Sequence, residues 1–292
     1  INIEPLSRHP FEPERDGLET FSAGELGWPW AGEPVVRFLP CLGGFVGSDI
    51  LAGILATQLH QSETPAALID LGTNGDIVIG NRERLLCAST AAGPAFEGAR
   101  ISMGMRAATG AIAEVNLEAG QLHCRVLGQG SPEGICGSGL VDAVAAGLEL
   151  GWIESSGRLA GGHTLKLAEP VHLTQPDIRE LQLAKGAIAA GLRILTQHLG
   201  ADAADLSKIY LAGAFGNYIN RASARRIGLI DFPLEKVEPA GNTALLGAKL
   251  ALFNLPENQG DYSHLLKRVE HVSLNGDTRF EDIFVREMRF PE

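Results

Sequence analysis

Residues 66 to 79, AALIDLGTNGDIVI, constrain this chain more than any other stretch. Two β-rich runs flank Gly72-Thr73-Asn74-Gly75. Asn-Gly between strands signals a hairpin, because both residues tolerate positive φ. The spacing predicts a strand, a tight turn and a returning strand. Asp70 falls between Ile69 and Leu71 on the inner run, where an unpaired carboxylate is costly. A cation or a row of backbone donors nearby would offset that cost. An ordinary hairpin would ask nothing of Asp70 or Thr73, so both readings stand at this point.

Other glycine-rich segments follow. Ser89-Thr90-Ala91-Ala92-Gly93-Pro94-Ala95-Phe96-Glu97-Gly98 reads either as a Gly-Pro turn into a short helix, with Glu97 as a first-turn acid, or as a place where backbone approaches a ligand. Residues 111 to 130 read as two strands about a turn at Glu118-Ala119-Gly120. At Gly134-Ile135-Cys136-Gly137-Ser138-Gly139 the chain turns into a helix with Leu140, Val141, Val144, Ala145 and Leu148 on its apolar side. Such an opening leaves helix amides uncovered for an anion, yet many helices open on serine and bind nothing. The strongest helical period runs from Pro176 to Leu199, with Thr174 and Asp177 as a capping box. Gly186 and Gly191 within it imply close packing against a neighbour. Residues 208 to 220, KIYLAGAFGNYIN, read as a buried strand ending in a bend at Gly213 to Gly216, with Asn217 beyond it. A final helix follows Gly241-Asn242-Thr243, and the tail from 260 reads as a strand and a docking edge carrying Phe280, Phe284 and Phe290.

Ahead of the hairpin, Pro5, Pro10, Pro13, Pro29, Pro34 and Pro40 mark a surface-hugging connector. Ser48-Asp49 then caps a helix expected to end near His60. The chain starts at Ile1, which reads as a trimmed protein or part of a longer one. A net charge of −11 offers no basic field for a phosphate backbone, which argues against nucleic acid as the main partner. No apolar run is long enough to span a bilayer and the start is too polar for a signal peptide, so a cytoplasmic protein without a membrane partner is expected. Cys41, Cys87, Cys124 and Cys136 form no C-x-x-C pair and read as reduced thiols. His123, Cys124 and Cys136 lack a fourth metal ligand at sensible spacing. The 36 glycines in 292 residues exceed the usual share of roughly 7%, and the segments above are where they gather.

The order of these pieces resembles the second lobe of the acetate kinase, sugar kinase, Hsp70 and actin superfamily. Within it, LIDLGTNGDIVIGN, STAAGPAFEGARISMGMRAATGAI, GICGSGLVDAV, TQPDIRELQLAKGAIAAG, IYLAGAFGNYI and GNTALLGA are similar to the C-terminal ATPase domain of the reductive activators of corrinoid proteins. The resemblance runs from about Pro40 to Leu252 and weakly into the tail. Asp76 departs from it, standing where that family usually has glutamate.

The resemblance implies an α/β fold: a ribonuclease-H-like, actin-like ATPase lobe over residues 63–292, with a mixed sheet flanked by helices. Residues 1–62 would be a connector and capping helix, readable as the remainder of a first lobe. It further implies ATP-dependent reductive activation, Co(II) to Co(I), of a corrinoid protein in a methyltransferase system, with ATP and Mg²⁺ bound here. The [2Fe-2S] cluster of such activators would sit in an N-terminal domain, since no cysteine spacing here suits one. Only one Asp-x-Gly-Thr hairpin is present where a two-lobe clamp uses two, so this part alone would be an incomplete activase. In that account Asp70 positions Mg²⁺, and Gly72, Thr73, Asn74 and Gly75 meet the terminal phosphates. Gly137, Ser138 and Gly139 offer a helix N-terminus, Gly213, Gly216 and Asn217 line the adenosine side, and Glu97 is a catalytic candidate. Arg106 would serve the cleft or the corrinoid-protein surface. A homodimer is compatible. A docking module that hydrolyses nothing, or a small-molecule kinase of the superfamily, are the competing readings.

Overall fold

A computed structural model describes residues 17–162, 164–254 and 262–292. The proline-rich start up to residue 16 lies outside the described residues. In chain order the strands are β1 (Glu19–Ser22), β2 (Val35–Phe38), β3 (Ala66–Leu71), β4 (Gly75–Gly80), β5 (Leu85–Thr90), β6 (Ala111–Glu118), β7 (Gln121–Val126), β8 (Gly134–Ile135), β9 (Thr164–Ala168), β10 (Val171–Thr174), β11 (Lys208–Ala212), β12 (Val237–Gly241) and β13 (Val269–His271). The helices are α1 (Ser48–Thr57), α2 (Gly137–Glu149), α3 (Gln175–Leu199), α4 (Gly213–Tyr218), α5 (Arg221–Arg226), α6 (Thr243–Asn254), α7 (Ser263–Leu266) and α8 (Phe280–Glu287).

The main sheet has the order β12-β11-β3-β4-β5-β13. β3, β4 and β5 form an antiparallel meander, while β11 joins β3 in parallel and β12 joins β11 in parallel. This is the ribonuclease-H-like, actin-like arrangement expected. β3 is central and covered on both faces, which is why its sequence is a nearly continuous apolar run. Period-2 alternation sorts that run: Ala67, Ile69 and Leu71 join the core under α2 and α3, and Ala66 and Leu68 join the core under α1. On β4, Ile77 and Ile79 face the first core and Val78 the second. By the same parity Asp70 and Asp76 fall on the α1 side. A smaller sheet, β7-β6-β8, packs against α2.

The long helix follows its stripe. Ile178, Leu181, Ala184, Ile188 and Leu195 are buried, and the capping box at Thr174 and Asp177 forms as read. Gly191 is needed for packing, since a Cβ there would lie 2.6 Å from Thr90 Cγ2 on β5.

Three readings are corrected. The connector contains a β1-β2 hairpin, with Phe21 and Phe38 edge to face at 5.8 Å. The helix read from Ser48 to His60 is capped by Gly47 and ends at Thr57, because Gln58 turns left-handed before a separate turn at Leu59–Gln61. The tail supplies the expected strand, β13 on the β5 edge, but its phenylalanines are not a docking edge. Phe280 and Phe284 pack against the core and Phe290 is buried in it, as α8 lies along α3.

Candidate functional site

The site lies where the carboxyl ends of β3 and β11 meet the β3–β4 hairpin. Leu71 pairs with Gly75, so the loop is the three residues Gly72, Thr73 and Asn74. The strand, tight turn and returning strand expected from sequence are present, but the expected reason does not hold, since neither Asn74 nor Gly75 has positive φ. Gly75 is glycine for space: a Cβ there would sit 2.6 Å from Ile188 Cγ1 and 2.8 Å from Thr90 Oγ1. Thr73 and Asn74 are exposed, so the loop is open to a ligand.

Asp70 and Asp76 are cross-strand partners, so two carboxylates face each other on a half-buried surface. Burial, and then the charge of Asp49, pushes Asp70 up to about 6. Burial pushes Asp76 up to about 7 against a hydrogen bond from Ser89, with Asp49 and Asp70 adding to the rise. Asp76 Oδ1 is buried and has no hydrogen-bond partner. Asp49 is exposed in the first turn of α1 and bears on both. From sequence Asp49 reads only as part of a helix cap; strand parity points Asp70 toward α1, but only the fold shows that α1 begins there.

Gly213 stands against this pair. Its φ is +85°, and a Cβ would lie 2.6 Å from Asp70 Oδ1 and 2.7 Å from the Leu71 carbonyl oxygen. The parallel pairing of Ala212 with Asp70 causes this approach. Any other residue would be strained and would push the carboxylate aside. Gly216 is buried on α4 over Leu211, and Asn217 is exposed, with its Oδ1 beside Gly241.

Glu97 is brought to the hairpin: the Thr73 hydroxyl donates to its carboxylate. The Gly93 amide also donates to the Thr73 carbonyl oxygen, at 2.9 Å. Gly137, Ser138 and Gly139 are buried. The Ser138 hydroxyl donates to the Ala113 carbonyl oxygen at 2.8 Å, and Gly137 lies against Phe96 and Phe215. These residues are packed in the interior, with the serine hydroxyl already engaged. Arg106 is exposed in the loop before β6, and no described hydrogen bond or ion pair ties it to the hairpin.

Among the described residues no three His, Cys, Asp or Glu side chains gather closely enough to hold a metal ion by themselves. No described helix is long and apolar enough to cross a membrane. A separate cavity of about 250 Å³, lined by residues such as Leu192, Arg193, Asp202 and Phe232, contains none of the candidate residues.

An antiparallel meander with two parallel strands appended, an acidic hairpin and a glycine bend beside it define an ASKHA lobe, the actin-like ATPase class. The comparisons narrow the class. The family model described as the C-terminal domain of RACo, the ASKHA domain, matches residues 64–292, and the RACo middle region matches residues 1–62. The chain belongs to this family. It is 37% identical over 287 residues to the corrinoid activation enzyme RamQ of Eubacterium limosum, covering 87% of this chain and 47% of that protein. It is 29% identical over 275 residues to the [Co(II) methylated amine-specific corrinoid protein] reductase of Methanosarcina barkeri, covering 86% and 51%. A solved structure of a reductive activator for corrinoid, iron-sulfur protein superimposes with a TM-score of 0.85 at 31% identity, covering 98% of this chain and 49% of that one. The chain spans about half the length of these relatives.

Proposed function

We propose that this chain is the nucleotide-binding part of an ATP-dependent activator that returns the cobalt of a corrinoid protein from Co(II) to Co(I). The observation that carries the reading is the facing pair Asp70 and Asp76, poorly partnered and held up toward neutrality beside an open hairpin loop. A fold does not by itself keep two like charges there; a cation-bearing ligand gives them a use. The names of the relatives supply the partner, a corrinoid protein.

The residues fit Mg²⁺ arriving with ATP. The orphaned Asp76 oxygen asks for a partner. Mg²⁺ typically takes one or two carboxylates and completes its shell with phosphate and water, so a full protein cage is not needed. Asp70 and Asp76 would hold the ion, which would supply charge neutralisation at the terminal phosphates. Exposed Thr73 and Asn74 present the loop to those phosphates, and Glu97 fixes the Thr73 hydroxyl. Gly213 keeps Asp70 in place, and Asn217 offers a polar group on the adenosine side. In the whole activator ATP and water would become ADP and phosphate, and a [2Fe-2S] cluster, placed by the family resemblance in an N-terminal domain, would supply the one electron that takes Co(II) to Co(I). Residues 1–62 are read as the end of a first lobe, and the activator as cytoplasmic.

The test is to mix the protein with a Co(II) corrinoid protein and a low-potential reductant, and to follow loss of the Co(II) absorption with and without Mg-ATP. Reduction that needs Mg-ATP, and is lost in Asp70→Asn, is expected. Equal reduction without nucleotide would overturn the proposal.

A further inference from the structure

We propose that the stacked rings of Phe96 and Phe215 are a positioning device that sets the spacing between the phosphate hairpin and the Gly213 bend. The inference rests on the reading of this cleft as a Mg-ATP site. The rings are 4.5 Å apart at 19°, and each adjoins a candidate residue. Phe96 immediately precedes Glu97, whose carboxylate holds the Thr73 hydroxyl, and Gly93 in the same segment holds the Thr73 carbonyl. Phe215 is two residues beyond Gly213, which abuts Asp70.

Gly137 closes the arrangement from behind. A Cβ there would overlap the Phe96 carbonyl and stand 3.1 Å from Phe215 Cδ2. Three glycine-rich segments, remote in sequence, thus meet at one aromatic contact. A circuit results: Asp70 to Gly213, along α4 to Phe215, across the stack to Phe96, then Glu97 to Thr73, and back through the hairpin to Asp70. Flat rings with few rotamers hold a separation better than a branched aliphatic side chain of similar polarity. Ligand groups on opposite sides of a cleft tolerate little misplacement, about an ångström in catalytic sites. Phe96 and Phe215 therefore act through Glu97 and Gly213.

The experiment is a double-mutant cycle read by isothermal titration with Mg-ATP, with thermal midpoints measured alongside. Phe215→Leu and Glu97→Gln should each weaken binding about tenfold, and the double variant should be no more than slightly weaker than either, because residues acting through one another do not add. Phe215→Tyr, which keeps the ring plane, should bind as the parent does. A Phe215→Leu variant with a lowered midpoint but unchanged affinity would show that the ring only fills the core. A roughly hundredfold, additive loss in the double variant would also overturn the proposal. Should Phe215→Leu not fold, Phe215→Met carries the same test. A parent protein that does not bind Mg-ATP would overturn the site reading and this inference with it, an outcome distinct from intact parental binding with an inert Phe215.

Discussion

Asp70 and Asp177 are both carboxylates withdrawn from bulk water, and the fold treats them in opposite ways. Burial would raise Asp177, but the Ser102 and Thr174 amides and hydroxyls all donate to it at 2.7 Å and bring it below its ordinary value. Midway along α3, Lys185 also has partners, its Nζ donating to the Arg289 and Gly228 carbonyls at 2.9 and 3.3 Å, but there burial still outweighs them and pushes it down to about 8. Asp70 and Asp76 move up under burial, with only a hydrogen bond from Ser89 to Asp76 set against it and with Asp49, and at Asp76 also Asp70, adding like charge. Burial alone does not mark a site. A buried charge with a full set of partners holds structure together, and a poorly partnered one among like charges awaits a ligand.

The contrast can be broken at either end. The largest effect is expected at the ligand end: Asp70→Asn should lower ATP turnover about a thousandfold, about 4 kcal/mol, with an unfolding midpoint no lower than the parent's. Turnover near the parental rate would mean Asp70 is no more functional than Asp177. At the structural end, Asp177→Ala strands the Thr174 and Ser102 amides and removes the N3 half of the α3 capping box, so it should cost about 3 kcal/mol in denaturant unfolding. A loss under about 1 kcal/mol would show that its partners are easily satisfied by water. Gly213→Ala should cost about 2 kcal/mol from the left-handed backbone and the clash with Asp70, and should also weaken Mg-ATP binding. Unchanged affinity there would separate the bend from the site.

The smallest effect has the sharpest sign. Asp70 and Asp76 bind protons more tightly folded than unfolded, so their contribution to stability is present below about pH 4 and is lost as pH rises toward 7. Asp177 does the reverse: its contribution is present above the ordinary carboxylate range and lost as pH falls through its lowered value. Asp76→Asn should stabilise the protein by about 1 kcal/mol at neutral pH and flatten the decline between pH 4 and 7. Unfolding curves across that range check both, and an unchanged pH slope in Asp76→Asn would deny that the pair is coupled.

Much of this was legible beforehand because it is local. The α3 stripe and its capping box follow from a period and a spacing, and the strand runs from their apolar residues. The Asp70 anomaly was visible as a carboxylate within an apolar strand. Asn-Gly marked the hairpin correctly but for the wrong reason: Leu71 pairs with Gly75, which therefore lies in the strand, where Ile188 and Thr90 leave no room for a side chain. The tail phenylalanines misled because their partner, α3, lies some 90 residues earlier, and an amphipathic segment does not say whether its apolar face meets its own core or another protein.

The sequence by itself determined the β3–β4 hairpin, α2, α3 and β11, their order, and the placing of an acid at the end of a buried strand. Tertiary structure alone decided what surrounds that acid. Parallel addition of β11 to β3 brings Gly213 against Asp70, the antiparallel return of β4 sets Asp76 opposite, and α1 lays Asp49 above both. The contacts of Gly213 and Asp49 join residues too far apart for any local period to register, the facing of Asp70 and Asp76 depends on the register of the hairpin, and the shifts in proton affinity come from charges and burial that exist only once the chain has closed.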